Sequence, residues 1–242
     1  MILPNVRASF GSEDVQLLLG LLAERTRRSR QFWEGRLAEE GLDSLLDEPE
    51  AMAGIMQSGG VSQVSPKLAF YVMVRHTLLE SGLDNAELAD YVAALLVEFA
   101  MAGRAYRIAR YDERTYRYLV ELVSDLEGES SERRRFLLRA HLGNYSLWLS
   151  GLFPDYVIAR VQRRGAPGIG YYEDLGSAGY KLASASDLAD QYALTRLYAE
   201  VADDFRAVRR ALNRVSDRFF FPVSPSPIDR LLRQVVDDSE SN

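Results

Sequence analysis

The sequence contains no cysteine. That absence removes disulfides, thiolate zinc sites and a cysteine nucleophile together. Histidine is scarce as well: His76 and His141 are the two present. Carboxylate-bridged dimetal bundles need Glu-x-x-His pairs on facing helices. Here the residues three positions before the histidines are Met73 and Leu138. There is no His-Glu-x-x-His and no Gly-x-Ser-x-Gly nucleophile elbow. No metal site is expected, and no cofactor motif stands out. The 168–170 glycines lack the third glycine and the preceding strand of a dinucleotide fingerprint, and Gly176, Gly179 and Lys181 do not have P-loop spacing.

Long apolar runs are missing too. The longest, residues 91–102, is interrupted by Glu98 and falls short of the ~20 residues a spanning helix requires. Residues 1–11 lack the basic-then-apolar order of a signal peptide. The expectation is a soluble, cytoplasmic protein with no membrane contact. Positive charge is in deficit, with a net charge of −6 and a pI near 5.1. Affinity for nucleic acid comes from neutralising phosphates, so the balance argues against a general nucleic-acid binder and leaves room for a local basic patch.

What is present is apolar material in helical rhythm. Hydrophobic residues make up 47% of 242 residues, enough for a sizeable core. Over residues 186–221 the series Leu194, Tyr198, Val201, Phe205, Val208, Leu212, Val215, Phe219 alternates spacings of four and three without a break. This is a heptad seam and predicts one long helix packed lengthwise on others. Pro222, Pro225 and Pro227 end it. Its core positions are rich in aromatics, and Thr195, Ala202, Ala211 and Ser216 widen the stripe. A broad aromatic stripe fits the core of a bundle better than a two-stranded zipper, so the helix is assigned to the monomer core over a coiled-coil homodimer.

Further helices are expected at 12–41, 43–56 with a break at Pro49, 66–81, 84–102, 113–126, 132–149, 155–163, 171–182 and 228–236. Ser65-Pro66 has the order of a cap followed by proline in the first turn. Asp84 and Glu87 have capping-box spacing, and Gly82 turns the two flanking helices into an antiparallel hairpin. Residues 57–64 read as a loop. No strand pattern and no internal repeat occur. The fold class is therefore all-α, an irregular multi-helix bundle with a long C-terminal heptad-patterned helix. It reads as a single domain over 1–242, with 1–11 and 237–242 as flexible ends.

Five residues are candidates for a site. His141 falls on an apolar stripe with Leu138, Leu142 and Tyr145, and Asn144 borders it. Arg75 shares a stripe with Leu68, Tyr71, Val72 and Leu79. A guanidinium cannot be buried there without a carboxylate, and Glu98, on the adjacent helix, is the expected partner. If Arg75 and His141 face one interior space, then Arg75, Glu98, His141, Asn144 and Tyr145 line a polar pocket. Two surface features stand apart. A basic run from Arg25 to Arg30 lies beside Phe32 and Trp33. Tyr156, Tyr171, Tyr172 and Tyr180 cluster near Asp155, Glu173 and Asp174, where tyrosines suit an interface, a ligand mouth or a core edge.

These features point first to an interaction or scaffold protein without catalysis, acting through a protein partner or self-association. The alternative is a helical-bundle enzyme or small-molecule binder using the Arg75/His141 pocket. A nucleic-acid-associated regulator working through Arg25 to Arg30 is the third reading.

Overall fold

The structure, a computed structural model, describes residues 1–57 and 64–220. Every regular element among them is a helix. In chain order these are Ser12–Thr26 (α1), Arg30–Glu40 (α2), Leu42–Leu46 (α3), Pro49–Gln57 (α4), Pro66–Glu80 (α5), Ala86–Phe99 (α6), Leu119–Gly128 (α7), Glu132–Leu152 (α8), Pro154–Arg164 (α9), Ile169–Ser184 (α10), Asp187–Gln191 (α11), Thr195–Asp203 (α12) and Phe205–Val215 (α13). A 3-10 turn at Arg104–Tyr106 follows α6, and a π-turn at Ser216–Phe220 follows α13. The expected helix at 228–236 and most of the 57–64 loop lie outside the described residues.

α8 is the axis of the bundle. It has 21 residues and starts where Ser131 Oγ accepts from the Arg134 amide. From Phe136 onward most of its side chains are buried. A helix buried on all sides needs neighbours that come close, and glycine supplies the room. On α10, a Cβ at Gly179 would lie 2.8 Å from the Arg139 carbonyl oxygen and 3.0 Å from the Gly143 amide nitrogen, both backbone atoms of α8. A Cβ at Gly143 would in turn lie 2.8 Å from the Tyr180 ring. α13 crosses the far end of α8, where Gly151 leaves space for Leu212.

The α5–α6 hairpin forms as the sequence predicts. Ser65 Oγ accepts from the Leu68 amide, Pro66 occupies the first turn, and Gly82 turns the chain at φ 78°. The cap of α6 is different. Asn85 Oδ1 accepts from the Leu88 amide at 2.9 Å, and Asp84 is turned to Arg75 instead. A buried guanidinium gains more from a carboxylate than a helix end does.

Two expected long helices are divided. Residues 12–41 break at Arg27, which has φ 56°, and Ser29 caps α2 afresh. The 186–221 helix breaks into α11, α12, α13 and the π-turn. Its first break is at Ala193 and its second at Asp204. At the second, the Ser177 hydroxyl of α10 donates to the Ala202 carbonyl at 2.8 Å, the group that would accept from the Arg206 amide in a continuous helix. A side chain inserted into the ladder is a known cause of such a break. The seam nonetheless survives: Leu194, Tyr198, Val201, Phe205, Val208, Leu212 and Val215 are all buried, and Phe219 packs partly against them. They are buried within one chain, as core residues of the bundle.

Helices α1 to α4 form a smaller layer around Leu18, Leu19, Leu22, Trp33, Leu45 and Leu46. The Trp33 indole N–H donates to Thr26 Oγ1 at 3.1 Å, while Phe32 stays exposed under Arg28. The N-terminal stretch contributes to the core through Ile2 and Val6. It is tied to α6 by the Arg7 amide, which donates to Asp90 at 2.9 Å. The expected 113–126 helix begins only at Leu119, because the preceding segment is pinned by the Tyr116 amide on the Tyr106 carbonyl.

Ala193 holds φ 55°, a left-handed conformation that costs an L side chain about 1–2 kcal/mol. Ala193→Gly relieves this, partly offset by the greater freedom of glycine in the unfolded chain. The melting temperature should rise, by an amount corresponding to about 1 kcal/mol. An unchanged or lowered value would show that this backbone is not strained.

Candidate functional site

The five candidate residues do not line one pocket; of them, His141 and Tyr145 stack on each other. Arg75 is buried on α5, with its partners in the α3–α4 corner and the α5–α6 turn. Its Nε donates to Asp47 Oδ1 at 2.8 Å and its Nη2 to Asp47 Oδ2 at 2.7 Å and Asp84 Oδ1 at 2.7 Å. The hydrogen bonds to Asp47 are the main cause that raises its pKa above the ordinary arginine value. Glu98 is not its partner. The hairpin is antiparallel, so a residue seven before the turn at Gly82 lies level with the start of α6, while Glu98 is near its end.

Asn144 is in the core. Its Oδ1 accepts from the Tyr91 hydroxyl at 2.5 Å and the Tyr180 hydroxyl at 2.8 Å. Burial raises the pKa of both phenols, so they serve as donors throughout the physiological range. The Tyr145 hydroxyl donates to the Arg117 carbonyl at 3.0 Å, and its ring stacks on Trp148 and His141. His141 is buried between Phe99 and Tyr145. Burial first, then the nearby Arg104 charge, push its pKa down to about 3. It is a neutral core imidazole at any physiological pH. Arg75 and His141 do not share an interior pocket.

Glu98 leads to a different site. It lines a cleft of about 400 Å³ between the end of α6, the Arg104–Tyr106 turn, the first half of α8 and α11. Arg104, Arg110, Arg133, Phe136 and Tyr192 are among its walls. Arg104 is buried: its Nε donates to Glu98 Oε2 at 2.9 Å and its Nη1 to the Arg107 carbonyl. Arg110 Nη2 reaches Glu98 Oε1 at 2.5 Å from a side chain that is mostly exposed. Burial would raise the Glu98 pKa, but the hydrogen bonds from Arg110 and Arg104 outweigh it and hold the carboxyl below its ordinary value. Glu98 is thus a fixed anion that orients two cations. Arg133 is exposed and forms no ion pair among the described residues. Nearby, Asp112 is occupied by Arg134 at 2.9 Å. Phe136 and Tyr192 stack at 6.4 Å and 14°; Phe136 is buried and Tyr192 is 44% exposed, so Tyr192 supplies the aromatic surface of the cleft.

The cleft therefore sets three arginines against one carboxylate. Sequence reasoning missed it because its walls come from segments far apart in the chain, from Met1 to Tyr192. The one signal was the row Arg104, Arg107, Arg110, Arg114, Arg117, a concentration of cations in an acidic chain.

The basic run is partly neutralised. Arg30 pairs with Glu34 at 3.0 Å, and Arg25 bonds Gln57. No described helix is long and apolar enough to cross a membrane. No group of three or more metal-ligating side chains occurs among the described residues. No protein family, curated protein or solved structure matches the chain.

Proposed function

We propose that the protein is an interaction protein that acts by binding, and that the Glu98 cleft receives an acidic group of its partner. The observation that carries this reading is the excess of positive charge in the cleft of a chain whose net charge is −6. Arg104 is held in place by Glu98 and the Arg107 carbonyl, so little ordering remains to be done when a ligand arrives. Arg133 and Arg110 supply outward N–H donors in the planar fork that matches a carboxylate. The buried imidazole of His141 stays neutral, so it adds no charge of its own to that of the arginines.

The exposed Tyr192 ring favours one variation, a small planar anion as the ligand. The cleft volume is within the usual range for small-molecule sites. A thermal-shift panel separates the two. Inorganic phosphate, citrate, an aromatic carboxylate and a glutamate-rich peptide are each added to the wild type and to Arg133→Glu. A ligand at about a hundred times its dissociation constant stabilises by about 2.7 kcal/mol, a readily measured shift. The expected result is stabilisation by the acidic peptide that fades with salt and is lost in Arg133→Glu. Stabilisation by the aromatic carboxylate alone would establish the small-ligand form. If no anion shifts the wild type, or if the shift survives Arg133→Glu, the cleft is not the binding site.

A further inference from the structure

A second basic face lies on α9. α9 starts directly after α8 and carries Tyr156, Arg160 and Arg163 at helical spacings of four and three, with Arg164 alongside. Together with Ala159 they line a shallow depression of about 190 Å³. Arg163 and Arg164 are exposed, and Tyr156 is 53% exposed.

Several surface arginines are matched by acids: Arg36 with Glu40, Arg196 with Glu87, Arg206 with Glu173. On α9 they are not. Arg160, Arg163 and Arg164 form no ion pair among the described residues. Arg160 is held by aromatic rings instead, with its guanidinium carbon 5.2 Å from the Tyr118 ring centre and 5.5 Å from that of Tyr156. Next to it Arg117 lies 5.2 Å over the Tyr106 ring. An arginine positioned by a ring keeps its in-plane donors free for a carboxylate. The three cations are in the last turns of α9, where the helix dipole favours positive charge, so the arrangement is stable without a counter-ion.

We infer that this arginine–tyrosine face of α9 is a docking surface for an acidic segment of a partner protein. Charge complementarity identifies the sign of the partner, and two features identify its class. Arginine and tyrosine are the residue types that dominate protein–protein hot spots, and Val161, 37% exposed, adds an aliphatic contact beside them. A single-stranded nucleic acid would stack its bases on ring faces, and Arg160 already occupies one face each of Tyr118 and Tyr156. It would also meet the negative field of the rest of the chain beyond this local patch.

The test is made in the full chain carrying Arg133→Glu, so that the cleft makes no contribution. Fluorescence anisotropy is measured with a labelled peptide of alternating glutamate and leucine, with its glutamine–leucine counterpart, and with an oligouridylate. The acidic peptide should bind, the glutamine version should not, and adding Arg163→Glu and Arg164→Glu should weaken binding by about tenfold or more. Both added substitutions are at exposed positions, and an unchanged melting temperature will show that the fold is intact. The inference is overturned if the acidic peptide does not bind, if the two reversals leave its affinity unchanged, or if the oligouridylate binds in preference.

Discussion

Glu173→Leu is expected to lower the stability of the fold by about 3–5 kcal/mol, the cost of removing one partner from a buried ion pair. Glu173 is on α10, and Arg209 of α13 is 1% exposed. Arg209 Nε donates to Glu173 Oε1 at 2.6 Å, and Arg206 Nε donates to Oε2 at 3.1 Å. Arg209 Nη1 reaches Asn213 Oδ1, and the Asn213 amide donates to the Ser150 and Gly151 carbonyls of α8 at 3.0 and 2.6 Å. One carboxylate thus holds α10, α13 and α8 together. Without it the buried Arg209 guanidinium loses the carboxylate that its Nε donates to. Arg206 is half exposed and loses little. Urea unfolding measures the change. Adding Arg209→Met to Glu173→Leu should restore much of the loss, because an apolar pair of similar volume avoids desolvating two ions. A single variant within about 0.5 kcal/mol of wild type, the range of an ordinary surface change, would show that the pair is not held in a dry core.

The second large effect is at Phe205, the seam residue next to the Asp204 break. Phe205→Ala should cost about 3–5 kcal/mol, the usual loss for a buried aromatic truncated to alanine. Its ring lies directly over Gly176 of α10: a Cβ at that glycine would collide with Phe205 Cζ and would lie 2.8 Å from Ser146 Cβ. Gly176→Ala alone should therefore cost about 1–3 kcal/mol through overpacking. The two losses should not add. Once the ring is gone most of the collision goes with it, and the double variant should be more stable than the sum of the singles predicts. Additive losses in a double-mutant cycle would show that ring and glycine do not meet.

Arg75 allows a sharper comparison with Arg209. Both are buried arginines with carboxylate partners, but the Asp47 and Asp84 side chains are 33% and 78% exposed. Those acids can be hydrated if the guanidinium is lost. The energetic centre of the bundle is therefore the Glu173 pair, and the Arg75 cluster fastens a turn at its edge.

The fold class was legible because burial follows periodicity. The seam from Leu194 to Val215 is buried in register even though it is divided between α12 and α13, since a short break preserves the side on which each residue falls. The breaks themselves were not legible. One depends on the Ser177 hydroxyl reaching the Ala202 carbonyl, a contact between helices that are separate in sequence. Ala193 gives no glycine or proline signal for the other. The buried nature of Arg75, His141 and Asn144 could be read from their stripes. Their partners could not, because stripes place a residue inside without saying which neighbour it meets. The Glu98 cleft was hidden for a related reason: Arg104, Arg110, Arg133 and Tyr192 come together only when segments far apart in the chain converge.

The glycine contacts between α8 and α10 have a consequence for how this protein opens. At Gly179 the α10 backbone comes so close to the α8 backbone that separating the two helices leaves a gap no flexible side chain can fill. Elements joined this closely should open together as one cooperative unit, and amide hydrogen exchange should be slowest in the middle of α8 and α10 and faster at the exposed end of α9.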